Sequence, residues 1–213
     1  MLASRRRRRN LVSCALLAGG MVLLFLGARD VFEARLGQME AERAFEAVDL
    51  AKPSPFHKRA QPPVALGGAI AKLIIPRLDV ELYVMEGDGA SELRRGPGHV
   101  AGTAMPGQGG NCIIAGHRDT HFRVLKDIRK GDEIILQTRA GKYTYWVNGT
   151  EVVSPFNRVS LRPTGDAELH LITCYPFYYL GSAPKRFVVQ AQLQERSESV
   201  QARADSAKAS GLE

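Results

Sequence analysis

Between residues 68 and 194 the chain is a succession of short runs rich in Val, Ile, Leu, Thr and aromatics, separated by turn signals. This cadence constrains the fold more than any other feature. The runs are 69–75, 81–85, 99–103, 111–115, 133–138, 142–153, 168–173 and 186–193, with Pro106-Gly107, Gly109-Gly110, Gly131-Asp132 and Ala140-Gly141 among the turns. Short β-prone runs at that spacing predict a mainly β barrel or sandwich. One helix is expected to interrupt it over 120–128, where Phe122, Leu125 and Ile128 recur at near-helical spacing behind Thr120 as a cap. A chain of 213 residues, 45% hydrophobic, can bury one ordinary core, so one folded domain with accessories is expected.

The accessories are legible from charge. Of the formal net charge of +7, Arg5 to Arg9 carry five, leaving +2 for the rest. That remainder holds no Lys/Arg stripe interleaved with aromatics, which argues against nucleic-acid binding. The arginines flank 11–28, an uncharged apolar stretch of the length that crosses a hydrocarbon core, for which ~17–25 residues suffice. A positive flank resists translocation, so 11–28 reads as a single-pass anchor with everything after Arg29 outside the cytoplasm. A cleaved signal peptide fits less well, because the stretch exceeds the ~7–15 residues of such an apolar region and lacks a good small-residue cut site.

Residues 29–50 read as helix, but Phe32, Leu36 and Met39 share one side while Phe45 and Val48 fall nearly opposite. A stalk, or a helix lying against the domain, is the expectation. Residues 51–66 carry Pro53, Pro55, Pro62 and Pro63 and read as linker. The expected order is therefore a cytoplasmic basic segment 1–10, an anchor 11–28, a helical stalk and linker 29–67, a catalytic domain 68–195 and a disordered tail 196–213.

Chemistry enters at the ends of the runs. With Cys14 in the apolar stretch, Cys112 and Cys174 are the two thiols left for the domain, and a bridge between them is open. Cys112, inside its run, reads as a small buried hydrophobe. Cys174 closes a run and is followed by Tyr175-Pro176, where the proline takes the chain out of the sheet and leaves the cysteine at the rim. A thiol there is inert unless a base or cation lowers its pKa. His117, after Gly116 at the close of 111–116, and Arg186, opening the last run, are the candidate partners; His99, His121 and His170 compete with His117. Singly, each has a plain reading as a hydrogen-bonded surface histidine or a solvated edge arginine.

Together the pattern resembles the sortase family of membrane-anchored cysteine transpeptidases, over roughly 69–193. Ile74-Ile75-Pro76-Arg77-Leu78 looks like the family's first-strand motif, and Gly96-Pro97-Gly98-His99 with Gly102-Thr103 and Pro106-Gly107 resembles its second segment. Gly110-Asn111, Ala115-Gly116-His117-Arg118 and Phe122 look like its histidine block, Gly131-Asp132 like a familiar turn, and Thr173-Cys174 with Arg186 like the remaining active-site residues. His170 stands where the family often has threonine. The histidine block and compact length are more similar to class D-like sortases and to those found singly in Gram-negative bacteria than to classes A or B.

The resemblance implies a sortase-like closed β-barrel of about eight strands with one or two short helices, preceded by a transmembrane helix. It implies Cys174 as nucleophile, His117 as general acid and base, and Arg186 as stabiliser of the oxyanion or substrate. The implied partners are an exported protein with a C-terminal LPXTG-like sorting signal, an amine acceptor on the cell surface or envelope, and the membrane; no cofactor or metal is implied. The loops 154–166 and 175–185, flanking the cysteine strand, are where selectivity is expected. An extracytoplasmic cysteine endopeptidase would use the same residues but pass the acyl group to water. The L,D-transpeptidases place an arginine almost directly after their cysteine, unlike Cys174 here. A zinc module from His117, His121, His99 and Cys174 lacks a second close ligand pair.

Overall fold

A computed structural model describes the backbone of residues 2–49, 66–155 and 165–198. Eight strands follow one long helix, α1 (Leu2–Asp49): β1 (Ala69–Ile75), β2 (Val80–Glu86), β3 (Gly98–His99), β4 (Gly110–Gly116), β5 (Glu133–Thr138), β6 (Gly141–Val153), β7 (Ala167–Tyr175) and β8 (Lys185–Glu198). They close into a barrel in the order β1-β2-β3-β4-β7-β8-β6-β5, with β5 pairing back onto β1. The expected eight-stranded barrel is therefore present. Its interior is filled from alternate strand positions by residues such as Leu73, Ile114, Leu136, Tyr145, Leu171 and Val189, each fully buried.

Several boundaries differ from the sequence expectation for local reasons. Of the run 99–103 only His99 lies in strand, as the second residue of the short β3, because Thr103 N–H bonds back to the Val100 carbonyl and Gly102 takes a φ of 82°. The helix expected over 120–128 is a five-residue 3-10 turn, Arg123–Asp127, closed by i to i+3 bonds around Phe122, Leu125 and Ile128. A second short helix, α2 (Ala90–Arg95), precedes β3. Residues 196–198, expected to be disordered, extend β8 along Gly141 to Tyr143 of β6.

The docked helix α1 uses a face built of small residues and Phe45. Ala34, Gly37, Ala41 and Phe45 are buried, whereas Phe32, Leu36 and Met39 are exposed. Small residues let the helix approach so closely that a Cβ on Gly37 would lie 2.6 Å from the Arg95 Cα. Ala41 and Phe45 join Ala69, Tyr83 and Met85 in a second apolar cluster outside the barrel. Gln38 seals the contact: its Oε1 accepts from Tyr83 N–H at 2.6 Å, and its Nε2 donates to the Tyr83 and Arg95 carbonyls at 3.0 and 2.9 Å. Residues 34–45 thus lie against the domain.

Among the described residues no helix is long and apolar enough to cross a membrane, so the transmembrane span expected over 11–28 is not supported by the fold. α1 runs through that region unbroken, with Leu16, Leu17 and Met21 to Phe25 exposed; the side chains of residues 11, 12, 26 and 27 lie outside those described. Residues 51–65 of the expected linker 51–66, residues 156–164 of the loop 154–166 where selectivity is expected, and the tail beyond 198 also lie outside the described residues.

Candidate active site

Three neighbouring strands bring the three candidate residues to one end of the barrel. β4 and β7 run parallel, with Gly116 the Cα partner of Thr173; β7 and β8 run antiparallel, with Cys174 the Cα partner of Arg186. One step beyond the paired Gly116 and Thr173 stand His117 and Cys174, so the register sets histidine, cysteine and arginine side by side across β4, β7 and β8. Parallel strands order reactive groups at their carboxyl ends in this way without needing proximity in sequence.

The end of β4 is held from two sides. Thr173 Oγ1 donates to the Gly116 carbonyl at 2.7 Å in a fully covered position, tying β7 to β4 next to the cysteine. Phe122 folds back over Gly116 so closely that a Cβ there would fall 2.6 Å from its ring, and Phe122 N–H donates to the His117 carbonyl at 2.9 Å. Glycine is what permits this packing, and the fully buried ring anchors the histidine-bearing loop.

His117 itself is exposed, and Cys174 and Arg186 are half-buried. Arg186 Nη1 donates to the Lys185 and Ala183 carbonyls at 3.1 and 3.4 Å, and among the described residues no carboxylate neutralises it. An uncompensated guanidinium beside a thiol suits an oxyanion site. β7 continues one residue beyond Cys174 and stops at Tyr175, before Pro176; the cysteine is the penultimate strand residue rather than the last.

The competing groups are engaged elsewhere. Burial, with Glu86 adding to it, pushes the Cys112 thiol up to about 12, and both Cys112 and Cys174 are free, so the bridge left open by the sequence is not formed. Buried His99 has Nδ1 at 3.0 Å from the Glu86 carboxylate and Nε2 at 3.1 Å from the Ala104 carbonyl. His170 is buried with Nδ1 at 3.0 Å from Asn111 Nδ2. Burial and then the charge of His117 lower His121 to about 4, while the Ala34 backbone and Asp119 pull the other way. His117 is thus the exposed histidine of the four; His57 lies outside the described residues. Among the described residues no group of three or more His, Cys, Asp or Glu could hold a metal ion.

Sequence reasoning missed residues that reach His117 from outside the β cadence. A cleft of about 230 Å³ is lined by His117, Asp119 and Thr120 together with Glu33 from α1 and Arg94 from α2. Neither Glu33 nor Arg94 carries a local signal, because its place in the cleft depends on the small-residue docking of α1. Arg118 had a signal, its position directly after His117, but no role followed from sequence alone.

Comparison with known proteins agrees with this geometry. The family model described as the Sortase domain matches residues 73–194. Sortase D of Bacillus subtilis is 38% identical over 125 residues, covering 58% of this chain and 63% of its own length. Sortase A of Bacillus anthracis is 27% identical over 206 residues, covering 89% of this chain and 96% of its own. The solved structure of a Clostridium perfringens Sortase D5 transpeptidase superposes with a TM-score of 0.60 at 25% identity, covering 76% of this chain and 99% of that one. The chain thus spans a little under two thirds of the first of these relatives and nearly the whole of the other two.

Proposed function

This chain belongs to the sortase family, and from that membership we propose that it is a cysteine transpeptidase acting on an LPXTG-like sorting signal. The Cys174 thiolate attacks the carbonyl carbon between Thr and Gly of the motif, and the electron pair moves to an oxyanion held by Arg186. The C–N bond then breaks, His117 protonates the departing amine, and a thioester remains on Cys174. An amine acceptor attacks that thioester, gives its proton to neutral His117 and expels the thiolate, which restores the enzyme. What supports this reading above all is the strand register, which aligns His117, Cys174 and Arg186 across β4, β7 and β8.

The location belongs to the same proposal. An exported substrate calls for a catalytic domain outside the cytoplasm, at the outer face of the cell membrane, with the N-terminus inside and 11–28 as the anchor. Support comes from the sequence: the Arg5 to Arg9 block and the uncharged stretch after it.

The test is intact mass of the protein incubated with an LPXTG-type peptide, with and without an amine, beside Cys174→Ala. The expected result is an acyl adduct absent from the variant and resolved by the amine into a ligated peptide. Release of the free acid alone, whether or not amine is present, would identify an endopeptidase. The absence of any adduct with a broad peptide panel would overturn the proposal.

A further inference from the structure

Arg118 links the loop that follows His117 to the loop that joins the cysteine strand to the arginine strand. It follows His117, and its Nη2 donates to the carbonyls of Tyr179 at 2.7 Å and Gly181 at 3.0 Å, in the loop joining β7 to β8. Its guanidinium also lies 5.8 Å from the centre of the Tyr179 ring, and Arg123 lies 5.3 Å from that of Tyr178. The root of the loop is packed by Tyr175, Phe177 and Phe187, whose ring centres are 5.2 to 6.2 Å apart. Among the described residues no carboxylate pairs with Arg118, so the loop carbonyls are the strong acceptors it has. One nitrogen meets both carbonyls while the guanidinium carbon lies over the ring, so three contacts converge on one side chain.

The two gripped carbonyls straddle Leu180, whose side chain is 99% exposed, and Tyr178 beside it is 70% exposed. A large apolar side chain displayed on backbone fixed at both sides contributes nothing to the core, yet it offers a preorganised contact. We propose that Arg118 is a positioning residue that clamps the β7–β8 loop to the histidine loop and thereby presents Leu180 as an apolar, specificity-determining contact for the peptide substrate. The substrate half of this rests on the transpeptidase reading; the clamp does not.

The experiment is amide hydrogen exchange of the whole protein, with peptide kinetics, for wild type, Arg118→Gln, Arg118→Lys and Leu180→Ser. Losing charge-assisted bonds predicts exchange across residues 179–181 roughly tenfold faster in Arg118→Gln, with Arg118→Lys in between. Peptide KM is expected to rise by about tenfold in Arg118→Gln, with kcat within about twofold. Leu180→Ser is expected to raise KM in the same way while leaving loop exchange as in wild type. Unchanged exchange in Arg118→Gln would overturn the clamp, and a Leu180→Ser enzyme that loses kcat at constant KM would overturn the contact. A wild-type protein inert to every peptide would overturn the transpeptidase reading and the role of Leu180 with it, leaving exchange to decide the clamp by itself.

Discussion

At the scale of single residues, the site depends on a hydroxyl that does no chemistry. Thr173 Oγ1 is the donor for the covered Gly116 carbonyl, and that bond lies one residue from both His117 and Cys174. Thr173→Val keeps the shape and removes the donor, leaving a buried acceptor unmatched at a cost of about 1–3 kcal/mol. We expect a urea midpoint lowered accordingly and transpeptidation reduced more than the midpoint alone would explain, because β4 and β7 then lose their fixed offset beside the cysteine. Equal activity in the two proteins would show that the pairing of the strands suffices. The convergence of Cys174, His117 and Arg186 at one barrel end was legible because each sits where an apolar run stops or starts, and pairing rules bring run ends together. Glu33 and Arg94 were not, since no local property of α1 or α2 points toward a histidine far along the chain.

At the scale of elements, strands were read well and helices poorly, for one physical reason. A strand in a closed barrel displays its burial in its own alternation, as Leu73 and Ile75 do. The docked face of α1 is made of Ala34, Gly37 and Ala41, small residues chosen for close approach, while the larger Phe32, Leu36 and Met39 face out. Of the two sides that large residues marked, the one with Phe45 docks, and the small residues that complete it left no hydrophobic signal. The same docking predicts a pH effect through His121, which lies in the loop after His117 and is buried toward α1. Its folded pKa of about 4 is below the ordinary 6.5, so between those values the unfolded chain binds more proton than the folded one. Stability from this group is complete above about 6.5 and declines as pH falls toward about 4. His121→Asn should flatten that part of a urea-midpoint series relative to wild type; parallel curves for the two proteins would mean that the histidine is not held neutral.

At the scale of the whole molecule, the barrel and α1 behave as one body joined by a second small core. A protein beginning at residue 66 keeps every strand but uncovers Ala69, Tyr83 and Met85 and loses Phe45, whose burial is worth about 1.5–3 kcal/mol. We expect it to fold and to melt roughly 5–10 °C lower by calorimetry. An unchanged melting temperature would mean that α1 rests on the barrel without stabilising it. Barrel closure leaves few unpaired strand edges, yet β3 covers β2 only at Met85 and Glu86. At Tyr83 the outward N–H and C=O of β2 would be bare were it not for the Gln38 amide, which accepts from one and donates to the other. That side chain acts as a strand one residue long. It withholds from other molecules a backbone template of the kind on which edge-to-edge pairing begins, so the helix that lines the cleft beside His117 also covers an open stretch of strand edge.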